Sequence, residues 1–189
     1  MTENIEEMFV KSGAILKGHF LLTSGLHSPV YWEKFQVLQF PNYTEKLCGM
    51  IASHFKGLGV QVVAGPTTGG IILAFEVGRQ MGVRSIFAEK EGTERKFRRG
   101  FNISPGEKVL IVDDILTTGS SIKEVISAVN KLGGDIVGFG VLVNRSEQDI
   151  NLGAPLFACH RAITPAYDPK TCPLCAAKIP LVKRGSSEK

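Results

Sequence analysis

The sequence predicts an α/β protein whose core is a parallel sheet flanked by helices. Runs that are apolar on both faces, such as VQVVA (60–64) and KVLIVDD (108–114), alternate along the chain with segments of helical periodicity. Strands of this kind, separated by helices, are typical of a parallel sheet covered on both sides, with right-handed crossovers. In such sheets ligands bind beyond the carboxyl ends of the strands.

Each element has its own signal. Residues 3–17 predict a first helix, with Ile5, Met8, Phe9, Ile15 and Leu16 as core candidates, and an extended stretch follows to Pro41. The remaining predicted helices cover 43–57, 71–81 and 121–132, and the remaining strands cover 60–64, 83–90, 108–114, 136–145 and 156–162. The last helix shows a capping box (Ser121 and Glu124), an apolar stripe and a Gly-Gly stop.

Composition favours one globular domain that acts on small molecules. The chain has 189 residues and is 43% hydrophobic, enough for one sizeable core, so a single domain over 1–189 is predicted, with 155–189 as an extension. The net charge of +4 suits anionic small molecules better than nucleic acid. No apolar run is as long as a membrane helix, which needs about 20 residues, and the acidic N-terminal segment is not typical of a signal peptide. With reduced cysteines as the default, a cytoplasmic protein is expected.

The stretch VLIVDDILTTGSSI (109–122) carries the clearest chemical signal. Two acids, Asp113 and Asp114, close a buried strand and are followed by a loop rich in hydroxyl groups. The acids can accept hydrogen bonds from neighbouring hydroxyls such as those of a ribose, or attract Mg²⁺ through its waters. The TTGSS loop offers hydroxyls and backbone N–H groups at a helix N-terminus, which suits a phosphate monoester. The pattern predicts a sugar-phosphate site; the alternative is that these residues only cap a loop and a helix.

This stretch resembles the 5-phosphoribosyl-1-diphosphate (PRPP) motif of the type I phosphoribosyltransferases, in which apolar residues precede two acids and a Thr/Gly/Ser loop. The resemblance implies that family's fold, with a small N-terminal base-binding hood (1–40) and a flexible basic loop. It implies that the acids hold the ribose 2- and 3-hydroxyls and that a second loop, AGPTTGGI (64–71), holds the diphosphate, although alone that loop could be an ordinary turn. The PRPP-binding residues expected are Asp113, Asp114, Ile115, Leu116, Thr117, Thr118, Gly119, Ser120, Ser121, Thr67, Thr68 and Gly69.

A basic segment, EKEGTERKFRRGF (89–101), lies between two predicted strands and lacks an apolar stripe. It is predicted to be a long exposed loop or hairpin that closes over an anionic leaving group. Two alternatives stay open: a solvated charged hairpin, or a nucleic-acid patch in which Phe97 and Phe101 interleave with the cations. In the family a lysine opens the catalytic loop, which usually also contains a histidine that is absent here. The catalytic residues expected by resemblance are Lys90, Arg95, Lys96, Arg98 and Arg99.

Further features are similar to those of family members that use orotate. The segment GHFLLTSGLHSPVYW (18–32) ends in an aromatic pair, and VLVNRSE ends a strand with an arginine whose planar fork suits a carboxylate. For that arginine alone, a surface ion pair is the alternative. Many members have a lysine where this chain has Thr23, and arginine or lysine where it has Leu26. The orotate-binding residues expected by resemblance are Thr117, Arg145, Tyr31 and Trp32.

The resemblance implies transfer of 5-phosphoribosyl from PRPP to orotate, giving orotidine 5′-monophosphate and pyrophosphate in pyrimidine biosynthesis. Mg²⁺ bound mainly through PRPP is the expected cofactor, and a homodimer with shared active sites is expected because family members are dimers. No membrane or nucleic-acid partner is expected. The alternatives are a purine or uracil phosphoribosyltransferase and a PRPP-sensing transcription regulator. The regulator would need a DNA-binding appendage, and no helix-turn-helix precedes the predicted core.

The C-terminal segment CHRAITPAYDPKTCPLC (159–175) contains a C-x-x-C pair, Cys172 and Cys175, preceded by Cys159 and His160. Four such side chains could form a tetrahedral zinc site. A C-x-x-C pair alone is weak evidence, and adjacent Cys and His residues chelate one ion awkwardly. The expectation from the sequence is therefore no stoichiometric zinc, with redox and structural roles as the alternatives.

Overall fold

The computed structural model describes residues 4–22, 24–146 and 148–184. Thr23, noted above as a departure from the family pattern, lies outside the described residues, as does Glu147. The described elements in chain order are α1 (Ile5–Lys11), β1 (Ile15–Leu21), β2 (His27–Trp32), α2 (Lys34–Leu38), α3 (Pro41–His54), β3 (Val62–Pro66), α4 (Gly69–Met81), β4 (Arg84–Glu91), β5 (Glu94–Phe97), β6 (Lys108–Leu116), α5 (Ser120–Lys131), β7 (Asp135–Asn144), β8 (Leu156–Arg161), α6 (Pro173–Ala176) and β9 (Val182–Lys183).

The chain forms two compact units, and the larger one, Leu38–Ala162, is built on the predicted sheet. Within the described residues this sheet has the order β5-β4-β3-β6-β7-β8. All neighbours from β4 to β8 run parallel, and β3 is central, pairing with β4 on one side and β6 on the other. The edge strand β5 is antiparallel to β4, because the basic segment returns as a hairpin. The predicted parallel α/β fold is thus confirmed, with one antiparallel edge added.

The core of this unit lies against α5. The stripe residues Ile122, Val125 and Val129 are fully buried and pack with apolar residues of β3, β4, β6 and β7. Full burial of each such side chain contributes about 1.5–3 kcal/mol. The stripe ends at Leu132, which is partly exposed, and Gly133 then adopts a φ of +76° that favours glycine. The predicted end of this helix is confirmed.

Among the described residues, the smaller unit joins 4–22 and 24–37 with 163–184. Its sheet has the order β2-β1-β9: β1 and β2 form an antiparallel hairpin, and the short β9 runs parallel to β1. Phe9 of α1 packs edge-on against Trp32, with ring centroids 5.3 Å apart. Residues 155–189 therefore divide: β8 completes the large sheet, and the part from 163 joins the N-terminal hairpin.

The predicted first helix was too long. It ends at Lys11, and Ile15 and Leu16 lie in β1 instead. The reason is local: Ser12 caps the helix, with its hydroxyl donating to the Phe9 carbonyl, and Gly13 adopts a φ of +74°. Within the described ranges, no helix is both long and apolar enough to cross a bilayer.

Candidate active site

Three polar segments meet at the carboxyl edge of the large sheet. The Thr67–Thr68 turn follows β3, the Thr117–Gly119 loop follows β6, and Arg145 follows β7. Because β3, β6 and β7 are adjacent parallel strands, these segments lie side by side. This is the edge at which ligands bind in open parallel sheets.

The two acids lie inside β6 rather than at its end, and both are buried. Asp113 accepts hydrogen bonds from the Asp114 amide at 2.8 Å and from the Ser121 hydroxyl at 2.6 Å. Asp114 accepts one from the Ile115 amide at 2.7 Å. These hydrogen bonds fix the orientation of both carboxylates, which present their oxygens as acceptors.

The loop after β6 has the geometry of an anion site. Gly119 adopts a φ of +76° and forms the N-cap of α5 with its backbone, without a side-chain cap. The first amides of α5 have no partner within the helix, and the helix dipole adds positive potential there. The Thr118 and Ser120 hydroxyls lie 2.8 Å apart beside these amides. Hydroxyls and helix-end amides together suit a phosphate group.

The predicted capping box was wrong. Ser121 lies in the first turn of α5 and donates to Asp113, and Glu124 binds Arg95. The S-x-x-E spacing is a valid capping signal only where the serine precedes the helix. Here the Gly119 backbone starts the helix one residue before Ser120, so the serine is free to position the first acid.

The turn after β3 packs directly against the second acid. A Cβ atom placed on Gly69, the first residue of α4, would overlap the Asp114 Oδ2 atom, far inside van der Waals distance. Any larger residue at this position, which is among those expected from the sequence to bind diphosphate, requires the acid or the backbone to shift. The contact brings Thr67, Thr68 and Gly69 next to the acid pair and joins both expected PRPP loops in one site.

Arg95 joins the basic hairpin to this turn. Its guanidinium donates to the Thr67 hydroxyl at 3.0 Å and to the Ala88 carbonyl at 3.2 Å, and pairs with Glu124 of α5 at 3.0 Å. Its side chain is only 10% exposed. Arg95 is thus a fixed part of the site, whereas the sequence predicted a mobile cation.

The other cations of the segment are exposed and paired with neighbouring acids. Lys96 and Arg98 bind Glu91 at 2.6 and 3.2 Å, and Arg99 binds Glu89 at 2.8 Å. Hydrogen bonds from Arg99 and Lys96 lower the pKa values of the Glu89 and Glu91 carboxyls respectively. These exposed pairs are weak and can be exchanged for a more highly charged anion.

The hairpin form of the basic segment is confirmed, but its aromatic residues do not lie where the nucleic-acid alternative required them. Phe97 and Phe101 pack against the hydrophobic core, and Phe101 meets Phe87 edge-on with centroids 5.0 Å apart. They are therefore not placed to stack on bases, as the nucleic-acid alternative required. Lys90 is exposed and pairs across the strands with Arg95, so both side chains share one face of the hairpin.

Arg145 is held next to the phosphate loop through its backbone. Its amide donates to the Leu116 carbonyl at 2.8 Å. On either side, buried Asn144 accepts from both the amide and the hydroxyl of Ser146, at 2.9 and 2.6 Å. This Asn144–Ser146 turn was not predicted. Its signal in the sequence is the N-x-S pattern around the arginine, since asparagine side chains often bond the backbone two residues ahead.

The aromatic pair lies in the smaller unit. Trp32 is buried against Phe9, and half-buried Tyr31 packs against Phe20 with centroids 5.6 Å apart. Trp32 thus has a packing role within its own unit. Orotate binding by this pair stays a prediction.

Comparison with known proteins agrees with this geometry. Residues 36–160 match the phosphoribosyl transferase domain family. The chain is 50% identical to the orotate phosphoribosyltransferase of Desulforamulus reducens, over 98% of this chain and 97% of the relative. It is also 50% identical to that of Caldanaerobacter subterraneus subsp. tengcongensis, over 97% of each chain.

A solved structure shares the fold. The orotate phosphoribosyltransferase from Aeropyrum pernix superimposes with a TM-score of 0.73 at 24% identity, covering 83% of this chain and 93% of that one. At this identity the likeness concerns the fold alone, whereas the 50% identical relatives extend along nearly the whole chain. The chain therefore belongs to the phosphoribosyltransferase family and, within it, to the orotate phosphoribosyltransferases.

Proposed function

We propose that this protein transfers the 5-phosphoribosyl group of PRPP to orotate, giving orotidine 5′-monophosphate and pyrophosphate in pyrimidine biosynthesis. The observation that carries the proposal is the contact between Gly69 and Asp114, which places the turn after β3 beside the acids of β6. In PRPP the diphosphate is attached to one carbon of the ribose, so the two groups need neighbouring binding sites: the turn after β3 for the diphosphate and the acids of β6 for the ribose. The full-length relatives named for this activity support the same assignment.

We assign the PRPP contacts by their chemistry. Asp113 and Asp114 accept hydrogen bonds from the ribose hydroxyls, and Ser121 orients Asp113 for this task. The hydroxyls and amides from Thr117 to Ser120 hold the 5-phosphate, and Thr67 to Gly69 hold the diphosphate. No nucleophilic side chain is needed, since the protein aligns the reactants and stabilises the charge that develops on the leaving diphosphate.

Mg²⁺ fits this site as a cofactor that enters with PRPP. The acid pair supplies hard carboxylate oxygens close to the diphosphate turn, which is the donor chemistry that Mg²⁺ prefers. When bound, the ion neutralises charge on the diphosphate. The chain's own part is to hold the two acids in place through the Ser121, Asp114 and Ile115 donors.

We assign two roles to the basic hairpin. Arg95 is a positioning residue, because it holds the Thr67 turn and the N-terminal part of α5 together. Lys96, Arg98 and Arg99 are exposed cations able to exchange their acidic partners for the diphosphate, and Lys90 is an exposed cation on the same hairpin. Closure of the hairpin would then exclude water and oppose hydrolysis of PRPP.

Arg145 is the proposed partner of the orotate carboxylate. Replacing Arg145 with alanine should raise the KM for orotate by roughly thirtyfold or more, since losing the partner of a desolvated charge costs about 2–5 kcal/mol. The KM for PRPP should change little. Steady-state kinetics of both substrates measure this, with Arg161→Ala as the matched control, because Arg161 forms an exposed ion pair at the end of the neighbouring strand.

The same assays test the assignment of the base. The unaltered protein should turn over orotate and leave uracil and adenine unreacted. Preference for adenine or uracil would favour the alternative members of the family, and equal effects of Arg145→Ala on both substrates would remove Arg145 from the base site.

We also propose a cytoplasmic homodimer, whose contact surface includes an apolar groove on the larger unit. The groove is lined by Leu38, Pro41, Ile71, Ile72 and Phe75, and Phe75 is 64% exposed. An exposed apolar patch of this kind is typical of a protein interface, and a second copy is the occupant that the family's dimers suggest.

The variant Phe75→Arg should convert the dimer to a monomer, because it would bury two unpaired charges in a symmetric contact. Light scattering coupled to gel filtration gives the mass. Ile163→Arg is the control, since Ile163 is 75% exposed and lies outside the groove. A dimer that persists in Phe75→Arg would place the interface elsewhere.

A further inference from the structure

Four potential metal ligands converge in the smaller unit. They are His19 of β1, His27 at the start of β2, and the C-x-x-C pair Cys172 and Cys175 at the beginning of α6. Their ligand atoms all lie within 4.8 Å of one another, although the histidines and cysteines are separated by about 150 positions in the chain. We propose that these four side chains form a structural zinc site.

The distances fit tetrahedral coordination. Zn–S bonds of about 2.3 Å and Zn–N bonds of about 2.0–2.1 Å place tetrahedral ligand atoms about 3.3–3.8 Å apart. The His19 Nε2 atom lies 3.6 Å from the Cys172 sulfur and 3.8 Å from the Cys175 sulfur, and His27 Nδ1 lies 3.3 Å from the Cys175 sulfur. The two ring nitrogens are 2.9 Å apart and need to separate by only a few tenths of an ångström.

The hydrogen bonding of His19 favours a ligand role. Its Nδ1 atom lies 2.8 Å from the Ile179 carbonyl, which can only accept, so Nδ1 is the donor of this bond and Nε2 faces the other three side chains. Backbone carbonyls bonded to the remote ring nitrogen orient metal-bound histidines in the same way. Three neighbouring atoms converge on Nε2, more than one ring nitrogen can bond at once, and a shared cation accounts for all three.

Burial and chemistry also match a structural site. His19, His27 and Cys172 are 2%, 6% and 3% exposed, and only Cys175 reaches the surface. Four protein ligands fill the tetrahedron, as in structural zinc sites, and zinc binding releases the two thiol protons so that thiolates serve as ligands. The ion would fasten the C-terminal segment to the hairpin that carries Tyr31 and Trp32.

The set differs from the one considered from the sequence. Cys159 lies in the larger unit, where its thiol donates to the Leu47 carbonyl at 3.3 Å and burial raises its pKa to about 12. His160 follows it in β8, in the same larger unit. The cluster thus contains His19 and His27, which are far from the C-x-x-C pair in the sequence, and one zinc per chain is expected in place of none.

Elemental analysis of untagged protein, purified with a thiol reductant and without chelators, tests the site. We expect one zinc per chain. Cys175→Ser should lower zinc affinity at least about tenfold, since loss of even an outer partner of a ligand costs about 10–100-fold. Cys159→Ser is the matched control and should keep its zinc, because that residue lies outside the cluster.

A second measurement serves if Cys175→Ser fails to fold. Protein produced with Co²⁺ in place of zinc should show the visible bands of tetrahedral cobalt and a thiolate-to-cobalt charge-transfer band. Protein free of zinc and unable to bind cobalt would overturn the proposal. A Cys172–Cys175 disulfide in the unreduced protein, found by mass spectrometry, would overturn the proposal in favour of a redox pair. Equal zinc loss from Cys175→Ser and Cys159→Ser would also overturn it.

Discussion

The double variant Asp113→Asn/Asp114→Asn should bind PRPP at least about a hundredfold more weakly than the unaltered protein. A hydrogen bond to a charged group contributes about 1.5–3 kcal/mol, and each acid is proposed to hold one ribose hydroxyl. Two such losses amount to about 3–6 kcal/mol, or two to four orders of magnitude in affinity. Asparagine also presents an N–H₂ group in place of one acceptor oxygen.

Calorimetry with PRPP and Mg²⁺ measures this loss. The matched control is Asp135→Asn/Asp149→Asn, which removes the same two charges from exposed positions on the same unit. That control should bind PRPP as the unaltered protein does. Since side-chain size is preserved in both doubles, their circular dichroism should stay native. Unchanged PRPP affinity in the Asp113/Asp114 double would refute the ribose assignment.

The variant Gly69→Ala should lower kcat/KM by about a hundredfold or more. The added methyl group would collide with the Asp114 carboxylate, so either the acid or the start of α4 must move. A displacement of about 1 Å in a positioned active site costs about a hundredfold in rate. Both expected PRPP contacts would be disturbed by this single methyl group.

Steady-state kinetics and thermal unfolding separate this effect from general instability. Gly49→Ala is the control, because Gly49 also lies in a helix and its new methyl group would meet only the flexible end of Gln80. Alanine favours the helix over glycine by about 1 kcal/mol, so the control should be active and no less stable. Full activity in Gly69→Ala would show that the two loops do not act as one site.

Much of the large unit was predictable from local patterns. Val109 to Val112 form an apolar run too short for a helix, and the Ile122, Val125 and Val129 stripe has helical spacing, so strand and helix followed directly. The acid pair and its hydroxyl loop are continuous in the sequence, so this motif can be recognised without knowledge of the tertiary structure. The parallel order of the strands followed from the alternation of strands and helices.

Short and irregular elements were harder to predict. The β1 strand begins only four residues after α1 ends. The helical spacing of apolar residues continues across Ser12 and Gly13, so the start of β1 was predicted as helix. The two residues of β9 and the four of α6 are too short to show any period. The β9 strand is defined by its pairing with β1, and α6 lies within the C-x-x-C segment. In both cases tertiary contacts outweigh local preference.

The fold class, the acid pair and its phosphate loop are predictable from the amino-acid sequence alone, because they depend on residues that are neighbours in the chain. The tertiary structure determines which cations are buried, which are exposed, and which potential metal ligands meet. Arg95 and Arg98 have the same charge and nearly the same position, yet Arg95 is 10% exposed against 58% for Arg98, since one faces Thr67 and the other solvent. The His19 Nε2 atom and the Cys172 sulfur lie 3.6 Å apart because folding brings distant segments together. The spacing of these residues along the chain does not indicate the contact.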